Sequence, residues 1–426
     1  MTGDIYLGRL TGIPFRLHWS WFLAVFLIAW TLATGFFPQT LPEYGAEGGV
    51  YWSLGLLAAL GLFASILLHE FGHVFVARRF GIPVRGIRLF VFGGVAELAG
   101  EPKKPGHEIL LALGGPVVTV LLIVLFNLGF SLIVAGSGVG WNAADGVLHL
   151  QGGSLLAAGS AGLLYYLGMI NTAVLLFNLI PAFPLDGGRV LRGIVWAMTG
   201  NYLKSTRIAG GVGIAFAWLL FVGGFLTFFG GNVLGGVWLF FLGTFLQNAA
   251  QSSIAYAQLQ QLLSGVHVAD VMRRQPITVV AHQTLREVAD QFFLRYPYKA
   301  YPVVRGGEFV GMLTLRALQG TERHRWEVVR AGDLIGERVP APVVHPQEPV
   351  LQALRKLAEN GQSRLPVVDS GRLVGLLCGR DVMDLMEIRA GLAPPRGEPG
   401  ELDELSSGYT APATAQDAEA RAAVKG

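Results

Sequence analysis

Residues 67–75 read LLHEFGHVF, which sets two histidines and a glutamate inside a run of leucine, phenylalanine and valine. Ionisable side chains in apolar surroundings are costly unless something compensates them, so they mark function, pairing or a polar cavity. His69 and His73 are four apart, a spacing that on a helix projects both from one face, about 6 Å apart. Glu70 sits beside them. The pattern H-E-x-x-H offers two neutral imidazoles as metal ligands and a carboxylate placed to deprotonate a water. Chance, or histidines satisfied by hydrogen bonds in a helix bundle, is the alternative. The apolar setting favours a metal, because an ion turns otherwise unpaired polar groups into ligands.

The surroundings extend that setting over much of the chain. Its 426 residues have only 14% charged side chains, and its mean hydropathy is +0.50, too apolar for one soluble globule. No Lys or Arg occurs in 17–77, 105–188 or 208–272, whereas most of the 32 basic residues follow residue 272. Runs of about 20 apolar residues can cross a bilayer as helices. Six are expected, at roughly 17–36, 52–77, 108–136, 160–182, 208–229 and 233–255, the first retained rather than cleaved as a signal. The basic residues cluster at Arg9 and Arg16, at Arg78 to Lys104 and at Arg189 to Arg207, with none in the alternate loops. With basic loops cytoplasmic, the chain is a multi-pass protein of the cell membrane whose termini both face the cytoplasm. The single cysteine, Cys378, cannot form an internal disulfide. The net charge of +3 is accounted for by topology and gives no reason to expect nucleic acid as a partner.

A catalytic zinc commonly takes three protein ligands and keeps one position open. The candidate third ligand is Asp186 in NLIPAFPLDGGR, residues 178–189. Pro181 and Pro184 remove helix donors, and Gly187 and Gly188 permit a sharp turn. Two readings stand on residue type: a ligand in a broken helix, or a helix terminus whose aspartate pairs with Arg189. Depth favours the first. His73 precedes Arg78 by about 7.5 Å of helix, and Asp186 precedes Arg189 by a similarly short distance, so both polar groups sit at comparable depth.

HEFGH in an early span and NLIPAFPLDGGR in a later one, with the spans around them, resemble the site-2 protease family of intramembrane zinc metalloproteases over roughly residues 1–255. The resemblance implies that His69, His73 and Asp186 ligate one zinc ion per chain, and that Glu70 is general base and proton donor in peptide-bond hydrolysis. It implies a transmembrane or membrane-tethered protein substrate, as in regulated intramembrane proteolysis. Asn178 matches the family's asparagine and either orients substrate, stabilises developing charge or packs its helix. VRGIRLFVFGGVAEL, residues 84–98, reads as a β-hairpin with Gly93 and Gly94 at its turn. In the family this region enters the membrane near the active site, where an edge strand can hold an extended substrate by main-chain pairing. A short interfacial hairpin without substrate contact is the alternative.

Residues 268–390 repeat one pattern twice, at 268–320 and 331–390, after a linker at 256–267. In each, PVV followed by G-x-x-V-G marks a hairpin. The repeats resemble a tandem pair of cystathionine-β-synthase (CBS) domains, which implies an α/β fold, an adenine nucleotide as ligand and a homodimer through the pair. The nucleotide signature is halved: the first repeat has Thr314 but Ala317, and the second has Asp381 but Cys378. A nucleotide site using Thr314 or Asp381 and a purely structural or dimerising pair both remain open. Residues 391–426 are rich in Pro, Gly, Ala and acidic residues and are expected to be disordered.

The expected architecture is therefore a polytopic α-helical membrane protein of about six transmembrane helices with a membrane-associated β-hairpin, plus a cytoplasmic CBS pair of α/β fold that regulates it. A transporter or channel gated by that pair, passing ions along the intramembrane His and Asp groups, is the competing class. Glu70 separates the two, because hydrolysis needs a glutamate next to the first histidine and permeation does not.

Overall fold

The computed structural model describes residues 4–44, 48–144, 147–335, 342–360 and 363–392. It divides into two compact units, residues 1–259 and 260–426. The tail expected to be disordered lies outside the described residues from 393 onward.

The first unit opens with strands β1 (Asp4–Leu10) and β2 (Ile13–His18). Helix α1 (Ser20–Thr31) follows, and it continues through a π-helical turn (Leu32–Phe36) into α2 (Phe37–Thr40). The long α3 (Gly48–Arg79) leads into β3 (Val84–Phe90) and β4 (Gly93–Leu98). Next come α4 (Pro105–Ser137), the hairpin β5 (Gly140–Ala144) and β6 (Val147–Gln151), and α5 (Leu155–Asn178). The short α6 (Asp186–Thr199), then α7 (Tyr202–Phe229) and α8 (Val233–Leu262), complete it. Among the described residues six helical stretches are long and apolar enough to cross a membrane, and their outward apolar surface matches lipid. The expected fourth span lies a few residues earlier in the chain, because α5 starts at Leu155 and stops at Asn178, before Pro181. The sixth runs on to Leu262, so most of the expected linker is helical.

The expected hairpin at 84–98 forms, but it is half of a larger sheet. Its strand order is β1-β2-β3-β4, with β2 parallel to β3 and Phe15 opposite Ile87. Residues 13–18 are thus a strand, and the first span, expected from residue 17, starts at Ser20. β4 is left as an edge.

Close helix contact in the first unit depends on small residues. A Cβ at Gly72 of α3 would lie 2.2 Å from the Gly114 carbonyl oxygen of α4, and one at Gly114 would lie 2.7 Å from the Gly72 oxygen. Such approach lets backbones pack where apolar burial gives little drive, since lipid tails are equally apolar.

The second unit carries the two repeats. Its sheet runs β11 (Arg364–Asp369), β12 (Arg372–Cys378), β10 (Glu308–Thr314), β9 (Ala300–Arg305) and β8 (Val279–Val280), with β7 (Arg273–Arg274) paired to β12. Helices α9 (Val268–Val271), α10 (Leu285–Val288), α11 (Leu315–Gln319), α12 (Val350–Glu359) and α13 (Gly379–Leu392) flank it. Each hairpin turns on two positive-φ residues, Gly306–Gly307 and Ser370–Gly371, as the twist of paired strands requires.

Gly72→Ala should lower the unfolding free energy of the detergent-solubilised protein by about 1–3 kcal/mol. Gly211→Ala in α7, whose added methyl group meets nothing within 4 Å, should cost nothing. Thermal or denaturant unfolding of the two variants checks this.

Candidate metal and catalytic site

α3 presents His69, Glu70 and His73, and α6 begins with Asp186. The structure brings the three expected ligands together, each at least nine-tenths buried at 6%, 5% and 8% exposure. His69 Nε2 lies 3.1 Å from His73 Nε2 and 3.1 Å from Asp186 Oδ2, and His73 Nε2 lies 3.3 Å from Asp186 Oδ1.

The outer nitrogens fix which atoms face inward. His73 Nδ1–H donates to the Leu111 carbonyl at 2.8 Å. His69 Nδ1 lies 2.8 Å from Thr119 Oγ1, whose own hydroxyl donates to the Gly115 carbonyl, so that oxygen accepts from the ring. Both Nε2 atoms therefore carry lone pairs, and these converge with a carboxylate. Lone pairs that meet this closely repel unless a cation lies among them. Ligands about 2.0–2.1 Å from a tetrahedral zinc sit about 3.3 Å apart, close to the observed separations. Gly115 leaves the room: a Cβ there would lie 2.4 Å from both Nε2 atoms. The donor set, its tautomers and the space between the groups fit a small divalent ion.

Glu70 is half-buried on the next helical position. Its Oε2 accepts the N–H of Ala96 on the edge strand β4 at 2.9 Å. Gly94 permits that approach, since a Cβ there would lie 2.9 Å from Glu70 Cγ. Gly93 and Gly94 border the cavity over the site, about 1020 Å³, as does Asn178 at the end of α5. Asn171, which sequence reasoning did not single out, is also there, buried and donating to Ser65 Oγ at 3.2 Å.

Two expectations about the second motif need correction. Gly187 and Gly188 do not make a turn; both are helical residues of α6. Their role is steric, because a Cβ would lie 2.3 Å from the Leu179 oxygen or the Phe183 nitrogen of the broken segment folded against them. Nor does Arg189 pair with Asp186. Its Nε donates to Glu108 Oε1 of α4 at 3.2 Å, and Arg192, 5% exposed, reaches the same oxygen. Arg192 also donates to the Tyr202 hydroxyl, which in turn donates to Glu101. This cluster was invisible in sequence because its arginines read as topology markers and nothing local singles out its glutamate.

In the second unit the Thr314 hydroxyl accepts the Ala317 N–H and so caps α11. Asp381 is held by Arg273 of the other repeat, through Nε at 2.8 Å and Nη2 at 2.5 Å. Those bonds raise the guanidinium pKa further above its ordinary value, and burial raises that of the neighbouring Cys378 thiol. Each nominated nucleotide residue is thus engaged within the fold.

Comparison with known proteins matches this architecture. A model of peptidase family M50 aligns with residues 57–222, and the CBS-domain model aligns twice, with 268–320 and 331–388. Rip3 of Mycobacterium tuberculosis, named as a zinc metalloprotease, is 34% identical over 91% of this chain and 94% of its own length. A Synechocystis protein named as a zinc metalloprotease is 33% identical over 92% and 97%. The solved site-2 protease of Methanocaldococcus jannaschii is 28% identical, covering 59% of this chain and 95% of its own, at a TM-score of 0.38. With a metalloprotease relative aligned over nearly its whole length, the chain belongs to peptidase family M50, the site-2 proteases, as a multi-pass membrane zinc metalloprotease carrying a tandem pair of CBS domains.

Proposed function

We propose that His69, His73 and Asp186 hold one zinc ion and that Glu70 is the general base and acid of an intramembrane endopeptidase. Its substrates are transmembrane or membrane-tethered proteins, cut in regulated intramembrane proteolysis. The observation that carries this reading is the convergence of two imidazole lone pairs and a carboxylate beside Glu70, under a cavity bordered by apolar spans.

A zinc ion in such a site supplies Lewis acidity, polarising a carbonyl and lowering the pKa of water. The chain's own groups do the rest. Glu70 keeps Oε2 on the Ala96 N–H, and Oε1 takes a proton from the attacking water. As the water oxygen bonds to the carbonyl carbon and the C–N bond breaks, Glu70 passes that proton to the departing nitrogen. A carboxylic acid and an amine result. The edge of β4 holds the substrate extended, with Gly93 and Gly94 giving its backbone close access, and Asn178 orients the reacting peptide. A helical peptide bond is shielded by its own hydrogen bonding, so the strand edge also offers the unwound segment new partners.

The basic loops put both termini and the CBS pair in the cytoplasm. There the pair regulates proteolysis by binding an adenine nucleotide, with Asp381 as its ribose contact and Thr314 near the other repeat's site, and it joins two chains as a homodimer. A nucleotide at Asp381 must displace or share Arg273, so binding carries a built-in change of contacts between the repeats.

With purified protein and candidate membrane substrates, Glu70→Gln should retain one zinc while cleavage falls about 10²–10⁴-fold. Full cleavage by that variant would rule out the base. Gly115→Ala should weaken zinc binding by about 10–100-fold, measured by chelator competition, because its methyl group occupies the space between the imidazoles. Titration with ATP, ADP and AMP should give saturable heat with at least one, lost in Asp381→Ala; no heat with any would leave the pair a structural module.

A further inference from the structure

α6 carries the third ligand as its first residue, yet its own sequence fixes its seat weakly. It has 14 residues, too few to span a bilayer, and it follows the non-helical segment 179–185. Gly193 lets it approach Ile109 of α4, and charge ties it there. Arg189 and Arg192 lie one and two turns beyond Asp186, and both donate to Glu108 Oε1, at 3.2 and 2.5 Å. Glu108 is fully buried, at 0% exposure. The Arg192 guanidinium also lies 4.9 Å from the Phe183 ring centre and 5.1 Å from that of Tyr202, so it clasps the broken segment as well.

Glu108 is not an isolated contact on α4. It shares a stripe with Leu111, Gly115 and Thr119, at steps of three, four and four residues, which is one face of a helix. Leu111 and Thr119 hold the outer nitrogens of His73 and His69, and Gly115 leaves the space between the rings. One helix face therefore grips the histidines of α3 and, through Glu108, the helix that carries Asp186.

Stability does not explain the pair. A buried ion pair can be replaced by apolar side chains of similar volume with little loss, and this one is imperfect: two guanidinium groups share one carboxylate oxygen, while Glu108 Oε2 and Arg192 Nε have no hydrogen-bond partner among the described residues. Registry explains it. A charge pair accepts few alternative seats, whereas an apolar contact slides.

We propose that Glu108, with Arg189 and Arg192, is a positioning cluster that sets α6 so that the Asp186 carboxylate meets both imidazoles, and thereby sets metal affinity. It rests on the assignment of His69, His73 and Asp186 as ligands. These residues touch neither metal nor substrate; they act through Asp186.

The test uses the full chain in detergent, with zinc affinity from chelator competition and ligand geometry from the visible absorption of the Co²⁺-substituted protein. Wild type should bind one ion and Asp186→Ala should lose it; failure there would remove the ligand assignment itself. The double variant Glu108→Met with Arg192→Met replaces the two buried charges at similar volume and leaves Arg189, the more exposed guanidinium, free to turn to solvent. It should melt near wild type, bind zinc about 10–100-fold more weakly and shift the Co²⁺ spectrum. Wild-type affinity and spectrum in the double variant would overturn the cluster's role and leave the site intact. If that protein does not fold, Arg192→Lys decides, since it keeps the charge and loses the planar fork. A smaller loss of affinity in the same direction supports the proposal, and unchanged affinity and spectrum overturn it.

Discussion

Two imidazole lone pairs and a carboxylate, each at least nine-tenths buried and brought within 3.1–3.3 Å of one another, impose the constraint around which the membrane unit is organised. Water cannot relieve their repulsion at such burial, so each must be oriented and the space among them reserved. α4 does both with one face. It fixes the tautomers from outside and leaves a glycine where any larger residue would fill the centre. The small residues at 72 and 114, which let α3 and α4 approach, therefore serve the site as much as the packing.

The four-stranded sheet extends that logic to Glu70. Polar backbone at membrane depth is tolerated only where protein or a cavity satisfies it. β4 has one free edge; along it the Ala96 N–H is given to Glu70, and the glycines at 93 and 94 let the strand lie against α3. The same cavity reaches Arg189, Arg192, Tyr202 and Glu101, so the apolar ceiling of the site grades into a polar end. That gradient suits a hydrolase inside lipid, which needs water at one end and an apolar substrate at the other.

The CBS pair is built on different physics. Its repeats share a common sheet, and the first has a conventional apolar core that includes Tyr301, Leu285 and Leu313. Its polar residues at the nominated nucleotide positions already have partners within the fold. Thr314 caps a helix, and Asp381 is bound across the repeats by Arg273. A ligand there would compete with an existing contact, which is how a small molecule can bias one arrangement of repeats over another.

What the sequence by itself determined are features whose signal is local. HEFGH stands out because charge is rare in apolar runs, the spans because length and hydropathy suffice, and the paired hairpins because PVV and G-x-x-V-G recur at a fixed interval. Asp186 was nominated by the broken segment around it and by its depth, where residue type alone left it undecided between ligand and helix end, and the family resemblance agreed. Tertiary structure decided what depends on contacts distant in the chain. Strand β2 pairs with β3 across all the helices that separate them in the chain. Nothing local singles out Glu108, and Arg189 and Arg192 look like topology markers, until folding brings them together across some eighty residues. Periodicity and composition report how a residue meets solvent or lipid. They carry no information about which buried charge will meet which, because that is set by the mutual seating of helices.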